Sequence, residues 1–304
     1  MGPTASGKSA LALEIASRFN GEIVSVDSAA IYQSMNAGTA KPTQAERELI
    51  PHHLVDIVSP LESYSAERFR QDALRCVEEI HARGKRAILA GGTMLYFKAL
   101  KHGLDSLPEA DAAVRAEIDA LARQKGWPAM HDRLKEIDPI TAARLEPNDS
   151  QRIQRALEVY QLTGKPLSSL HGQTEKDSNT GFQFRTLSLM PTERGPLHER
   201  IALRFQSMLA AGLIEECMAL RRTYPGLHAG LPSMRCVGYR QALEYMDGQV
   251  DEATFHFKAI VATRQLAKRQ MTWMRSLGND SELDPLQANL LKEGLEAAQA
   301  LLEC

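Results

Sequence analysis

Cysteine is scarce here and follows no pattern. The four present, Cys76, Cys217, Cys236 and Cys304, make no C-x-x-C pair and no zinc-ligand spacing, which excludes a disulfide framework and a zinc ribbon and predicts reduced, buried thiols. No apolar run approaches the roughly 20 residues that cross a bilayer, and no secretory signal is legible, so a cytoplasmic protein is expected. A net charge of -2 gives no global field to attract a polyanion; any nucleic acid must be met by local basic patches. Internal repeats and low-complexity segments are missing too. What is there, 304 residues with 43% hydrophobic and 24% charged side chains, suits a large globular core, with or without a smaller second unit.

The front third alternates helix and strand. Leu11, Ile15 and Phe19 recur every four residues and predict a helix over 9–19, ended by Asn20-Gly21. GEIVSVDS reads as a short buried strand with Asp27 just past its end. Residues 65–84 read as a helix capped by Ser65, with Phe69, Ala73, Val77 and Ile80 on one face and Gly84 as its stop. KRAILAGGT follows as a strand running into a glycine turn. This order predicts an α/β fold with a parallel sheet, whose ligands gather at the carboxyl ends of the strands. Between 108 and 149, short helical pieces are broken by Pro128, Pro139 and Pro147, as in a helical insertion. A helix over 149–164 ends at Gly164 and Pro166, FRTLSLM reads as a strand returning to the core, and the rest is helical, with a long stretch over 252–277.

GPTASGKS at the amino terminus fits the phosphate loop G-x-x-x-x-G-K-[ST]. Its backbone N–H groups and the following helix N-terminus can cradle phosphate oxygens. Lys8 adds a charge, and the Ser9 hydroxyl can ligate Mg²⁺. Such a loop normally joins a strand to a helix, yet no strand precedes this one. Either a longer chain supplies that strand, or the sheet centre is weakened and the phosphate site less rigid; the sequence leaves both open.

Other residues carry two readings each. Asp27 suits a general base, a Mg²⁺ ligand or a turn cap. Thr93 suits a substrate contact or a plain turn position, and Arg204 an anion clamp or a surface ion pair. RQLAKRQMTWMR places Arg264, Lys268, Arg269 and Arg275 on one stretch without an acid, and Trp273 offers a stacking face. That pattern suits a phosphate backbone or a solvated basic face.

The segments GPTASGKS, VDSAAIYQSMNAGTAKP, AGGTMLYFKAL, DSQRIQRALEVY, LPSMRCVGYRQALEY and ATRQLAKRQMTWMR, in this order, resemble the tRNA dimethylallyltransferases (tRNA isopentenyltransferases). A kinase would share only the first. The resemblance implies a P-loop NTPase-like parallel sheet core with helices on both faces over 1–107 and 183–304, and a small all-helical insertion over 108–182 that grips the anticodon stem. It implies dimethylallyl diphosphate, not ATP, on the loop formed by Gly2, Pro3, Thr4, Ala5, Ser6, Gly7, Lys8 and Ser9, with Mg²⁺ as cofactor at Ser9. The acceptor is N6 of the adenosine 3′ of the anticodon, reached through an interdomain channel after the base flips out.

Within that framework Asp27 matches the base, Thr93 lies beside it, and Lys8 and Arg204 hold the diphosphate. Contacts to tRNA fall on Asp27, Ser28, Ala29 and Ala30, on Thr93, on Arg115, and on the stretch Gln151, Arg152, Ile153, Gln154 and Arg155. They continue on Arg235, Cys236, Val237, Gly238, Tyr239 and Arg240, and on Lys268, Arg269, Gln270, Met271, Thr272, Trp273, Met274 and Arg275. After Leu277 only Cys304 remains, too little for the zinc finger of eukaryotic relatives, so a bacterial-type enzyme is implied, with no membrane partner and acting as a monomer. Asn36 and Ala37 depart from the family's usual Asp and Ile. A small-metabolite kinase and a non-catalytic RNA binder are the competing readings; a kinase needs an arginine-bearing lid, and a pure RNA binder does not need Lys8 and Asp27 on one sheet edge.

Overall fold

In the computed structural model, which describes residues 1–105, 107–172 and 180–303, the chain forms two compact units: Met1–Lys101 with Gly181–Cys304, and His102–Thr180. Cys304, expected as a thiol, lies outside the described residues. Cys76 and Cys217 are buried free thiols and Cys236 is half-buried.

The first unit opens with the loop over residues 2–7 and α1 (Lys8–Arg18). Asn20, at φ 52°, turns the chain into β1 (Gly21–Val26), buried along its whole length. After α2 (Gln44–Leu49) and β2 (His52–His53) comes α3 (Ala66–Ala82). The Ser65 hydroxyl accepts from the Arg68 N–H, Phe69, Ala73, Val77 and Ile80 are buried, and Gly84, at φ 70°, lets the chain leave the helix. β3 (Arg86–Gly91) and α4 (Met94–His102) follow. The three strands form a parallel sheet in the order β2-β1-β3, in a register that sets Val26 opposite Gly91. Asp27 and Thr93 therefore leave the sheet on the same edge.

The second unit is helical: α5 (Ala112–Lys125), α6 (Trp127–Ile137), α7 (Pro139–Ala142), α8 (Ser150–Thr163) and α9 (Leu167–Leu170). Pro128 and Pro139 sit in first turns, where a missing N–H costs nothing, and Asp111, Asp138 and Asp149 cap α5, α7 and α8. Ile118, Leu134, Ile153 and Leu157 fill its core.

The first unit resumes with β4 (Leu187–Leu189), α10 (Arg194–Ala210), α11 (Leu213–Thr223), α12 (Tyr239–Met246), α13 (Glu252–Leu277), β5 (Ser281–Leu283) and α14 (Leu290–Glu303). The strand read at FRTLSLM is present but short, Leu187–Leu189; it returns to the core, where Leu189 is buried, and pairs in parallel with β5 in a separate two-stranded sheet. Met1 lies along it: its amino group donates to the Leu187 carbonyl at 2.6 Å, and the Leu189 N–H donates to the Met1 carbonyl at 2.8 Å. Burial, with Lys8 and Lys101 adding like charge, pushes the amino group down to about 5. Between β3 and β4 runs a trough of about 340 Å³ lined by Leu11, Ile15, Ile88, Ala90, Leu187 and Leu189, among others. Among the described residues β3 pairs on one side only.

Candidate active site

The phosphate loop turns on two left-handed residues, Ala5 at φ 63° and Gly7 at φ 79°. Gly7 begins α1 without any side-chain cap, so the first-turn N–H groups keep their donor capacity and the helix presents its positive end. A Cβ on Gly2 would stand 2.7 Å from the Ser6 hydroxyl. That hydroxyl is buried without a hydrogen-bond partner, an orphan that an anion's oxygen in the loop would satisfy. Ser9 is exposed on the same first turn.

Lys8 donates to the Pro3 carbonyl at 3.3 Å. Burial pulls its ammonium down to about 8, Asp27 opposing and Arg204 adding to the fall. Arg204, half-buried on α10, is likewise lowered by burial and raised by Asp27. Each of these three groups thus feels another across the end of the sheet. Among the described residues Arg204 makes no ion pair, so the surface-pair reading does not hold for it.

Asp27 serves as a cap and keeps reactive capacity as well. Its Oδ1 accepts from the N–H groups of Ala29 and Ala30, at 2.8 and 3.3 Å, while Oδ2 accepts no hydrogen bond among the described residues. Beside it the Thr93 hydroxyl accepts from the Ser28 N–H at 2.9 Å and donates to the Ser28 hydroxyl at 3.2 Å. The Thr93 N–H is anchored on the Val26 carbonyl at 3.1 Å. Cys236 is close enough to feel Asp27, and burial pushes its thiol up to about 12, which leaves it no role as a nucleophile at neutral pH.

The segments matched to RNA contact divide by face. Ser28, Gln151, Arg152, Arg235, Arg240, Lys268, Arg269, Thr272, Trp273 and Arg275 are exposed, and Ala29, Gln154, Cys236 and Val237 are half-buried. Ala30, Ile153, Gly238, Tyr239, Gln270, Met271 and Met274 are buried; the side chains of Ile153, Gln270, Met271 and Met274 are closed to a macromolecule because the helical period turns every third or fourth residue inward. Within the second unit, Arg115 and Arg155 are both bound to the buried Glu158, at 2.8 and 2.6 Å; their first task there is to neutralise that carboxylate.

One stabilising residue gave no sequence signal. Glu216 on α11 accepts from the backbone N–H groups of Asn36 and Ala37, each at 2.9 Å, and from the Tyr239 hydroxyl at 2.5 Å. The backbone supplies those N–H groups whatever the side chains at 36 and 37.

Among the described residues no helix is long and apolar enough to cross a membrane, and no cluster of three His, Cys, Asp or Glu could hold a metal by itself. The family model described as IPP transferase matches residues 30–277. A protein of Herminiimonas arsenicoxydans named tRNA dimethylallyltransferase is 60% identical over 287 residues, 94% of this chain and 89% of its own. The solved tRNA isopentenylpyrophosphate transferase of Staphylococcus epidermidis is 32% identical, with a TM-score of 0.70 over all of this chain and 97% of its own. A eukaryotic dimethylallyltransferase, solved while acting on tRNA, gives a TM-score of 0.77 at 28% identity over 98% of this chain and 76% of its own. With a family model spanning most of its length and relatives aligned almost end to end, this chain belongs to the IPP transferase family.

Proposed function

We propose that this protein transfers the dimethylallyl group of dimethylallyl diphosphate to N6 of the adenosine 3′ of the anticodon, position 37 of tRNA, and releases diphosphate. The observation that carries the reading is the convergence of Lys8, Asp27 and Arg204 at the end of the sheet, with Thr93 held beside Asp27 through Ser28. A small-metabolite kinase is disfavoured because the matched region begins at residue 30, beyond the loop that kinases would share.

The chemistry follows from the charges. As the allylic C–O bond breaks, its electron pair leaves with the diphosphate, and the negative charge develops where Lys8, Arg204 and the uncapped start of α1 supply preorganised positive charge. The N6 lone pair forms the new C–N bond, and the amine proton passes to Asp27 Oδ2. Oδ1, held by two backbone N–H groups, fixes the carboxylate's orientation. Magnesium suits the donor set: it takes few protein ligands and prefers phosphate oxygens, and Ser9 offers one hydroxyl next to a loop with an orphaned Ser6. When bound, it supplies further positive charge to the leaving group. A tRNA substrate and the lack of a helix long and apolar enough to cross a membrane among the described residues support a cytoplasmic location, and action as a monomer is part of the same proposal.

The test is incubation with unmodified tRNA, Mg²⁺ and labelled dimethylallyl diphosphate, with ATP in a parallel reaction. Label should enter tRNA without ATP; phosphoryl transfer from ATP with no prenylation would overturn the reading. Asp27→Ala should lower turnover about 10²–10⁴-fold and leave tRNA affinity near that of the native protein. Lost affinity with unchanged turnover per bound complex would remove Asp27 as the base.

A further inference from the structure

We propose that Gln270 is a positioning residue that fixes the phosphate loop against the Gly91–Thr93 turn, and so sets the leaving diphosphate in line with the accepting amine. The inference rests on the transfer reaction proposed above. Gln270 lies in one of the segments matched to RNA contact, but the structure gives it different work. It is 8% exposed, on the face of α13 that also buries Ala267, Met271 and Met274. Its Oε1 accepts from the Thr4 N–H at 2.8 Å, and its Nε2 donates to the Gly92 carbonyl at 2.8 Å. Both ends of one buried amide are thereby used, one on each loop.

Three observations make this a clamp rather than an incidental pair. The loops come so close that a Cβ on Gly92 would lie 2.5 Å from the Gln270 amide nitrogen and 3.3 Å from the Gly2 carbonyl oxygen. Among the described residues no other hydrogen bond joins residues 2–7 to residues 91–93. Finally, among the described residues β3, which leads into the Gly91–Thr93 turn, pairs only with β1, so the sheet itself does not tie the turn to the phosphate loop. The exposed face of α13, with Lys268, Arg269, Trp273 and Arg275, is a separate surface from the clamp. Catalysis by positioning is sensitive at this scale, since a displacement of about 1 Å can cost about 100-fold in rate.

Two variants keep the side chain's length. Gln270→Met removes both hydrogen bonds; Gln270→Glu keeps the acceptor for Thr4 but turns a carboxylate toward the Gly92 carbonyl. Transfer kinetics, tRNA binding on filters and amide hydrogen exchange at Thr4 are measured on the full chain. Both variants should bind tRNA within about twofold of the native protein and lose about 10- to 100-fold in kcat, with a raised KM for dimethylallyl diphosphate. Thr4 exchange should quicken in the Met variant and stay slow in the Glu variant. Native kcat in Gln270→Met, or a loss confined to tRNA affinity, overturns the clamp. If the native protein fails to prenylate tRNA, the transfer reading fails instead, and Thr4 exchange still judges the clamp: unchanged protection in Gln270→Met refutes it.

Discussion

Lys8 illustrates how one side chain meets opposed demands. In the transfer proposed above it must be charged to hold a diphosphate, yet it is half-buried, and desolvation, with the Arg204 charge adding to it, lowers its pKa from 10.5 to about 8. Below about pH 8 the free protein carries the ammonium; above it the neutral amine prevails. A bound diphosphate restores the charged form, so binding near pH 8 takes up a fraction of a proton. Affinity for dimethylallyl diphosphate, measured by calorimetry without tRNA, should weaken as pH rises through about 8 and approach a tenfold loss per pH unit beyond it. Running the titration in buffers of different ionisation enthalpy should expose the proton uptake. Lys8→Met should flatten the profile; a flat native profile between pH 7 and 9 would show that Lys8 does not meet the anion.

At the scale of elements, Glu22 is the unexpected member of β1. It is 4% exposed in its side chain and accepts from Arg83 and His53, each at 2.7 Å, with Lys85 at 3.0 Å. These partners tie β1 to β2, to the end of α3 and to the approach to β3, at the far end of the strand from Asp27. The hydrogen bond from Arg83 leads the causes that hold its carboxyl down at about 2, against 4.5 ordinarily. Because the folded-state value is depressed, the contribution is complete above pH 4.5 and is lost as pH falls toward about 2. Glu22→Gln should cost about 2–3 kcal/mol at pH 7, and the gap in urea midpoints between variant and native protein should close as pH approaches 2. A gap independent of pH would point to packing instead of charge. Nothing around GEIVSVDS foretells this cluster, because the partners lie far along the chain. α3 was fully legible, since its cap, apolar period and glycine stop are local. β2 was not: two residues show no alternation, and only pairing with β1 makes them a strand. The candidate site divides in the same way. Lys8, Asp27 and Thr93 follow from strand ends sharing one edge, and Arg204 was reached only through the family resemblance. The inward turn of Gln270, Met271 and Tyr239 depends on helix faces that a matched segment does not reveal.

At the scale of the whole first unit, the trough beside β3 is an apolar space along the edge of the sheet. Ile88 and Ala90 lie along it, and β3 is half-buried over most of its length where β1 is fully buried. An unpaired apolar edge leaves backbone N–H and C=O groups without sheet partners and invites pairing with another chain. Met1 already lies against Leu187 and Leu189 through two backbone hydrogen bonds, so a segment joined ahead of it would run straight into the trough. Five or six β-branched residues fused before Met1 should add a parallel strand there and turn the buried amino group into an ordinary amide. A gain of about 2–3 kcal/mol from the apolar contacts corresponds to a rise in Tm of about 4–12 °C for a unit of this size. The control is a fusion of equal length with alternating prolines, which cannot donate to a ladder. If both fusions melt alike, the trough does not accept a strand; if only the β-branched one gains stability, its Lys8 should also exchange diphosphate more slowly, because the loop would then be anchored on its sheet side as well as its helix side.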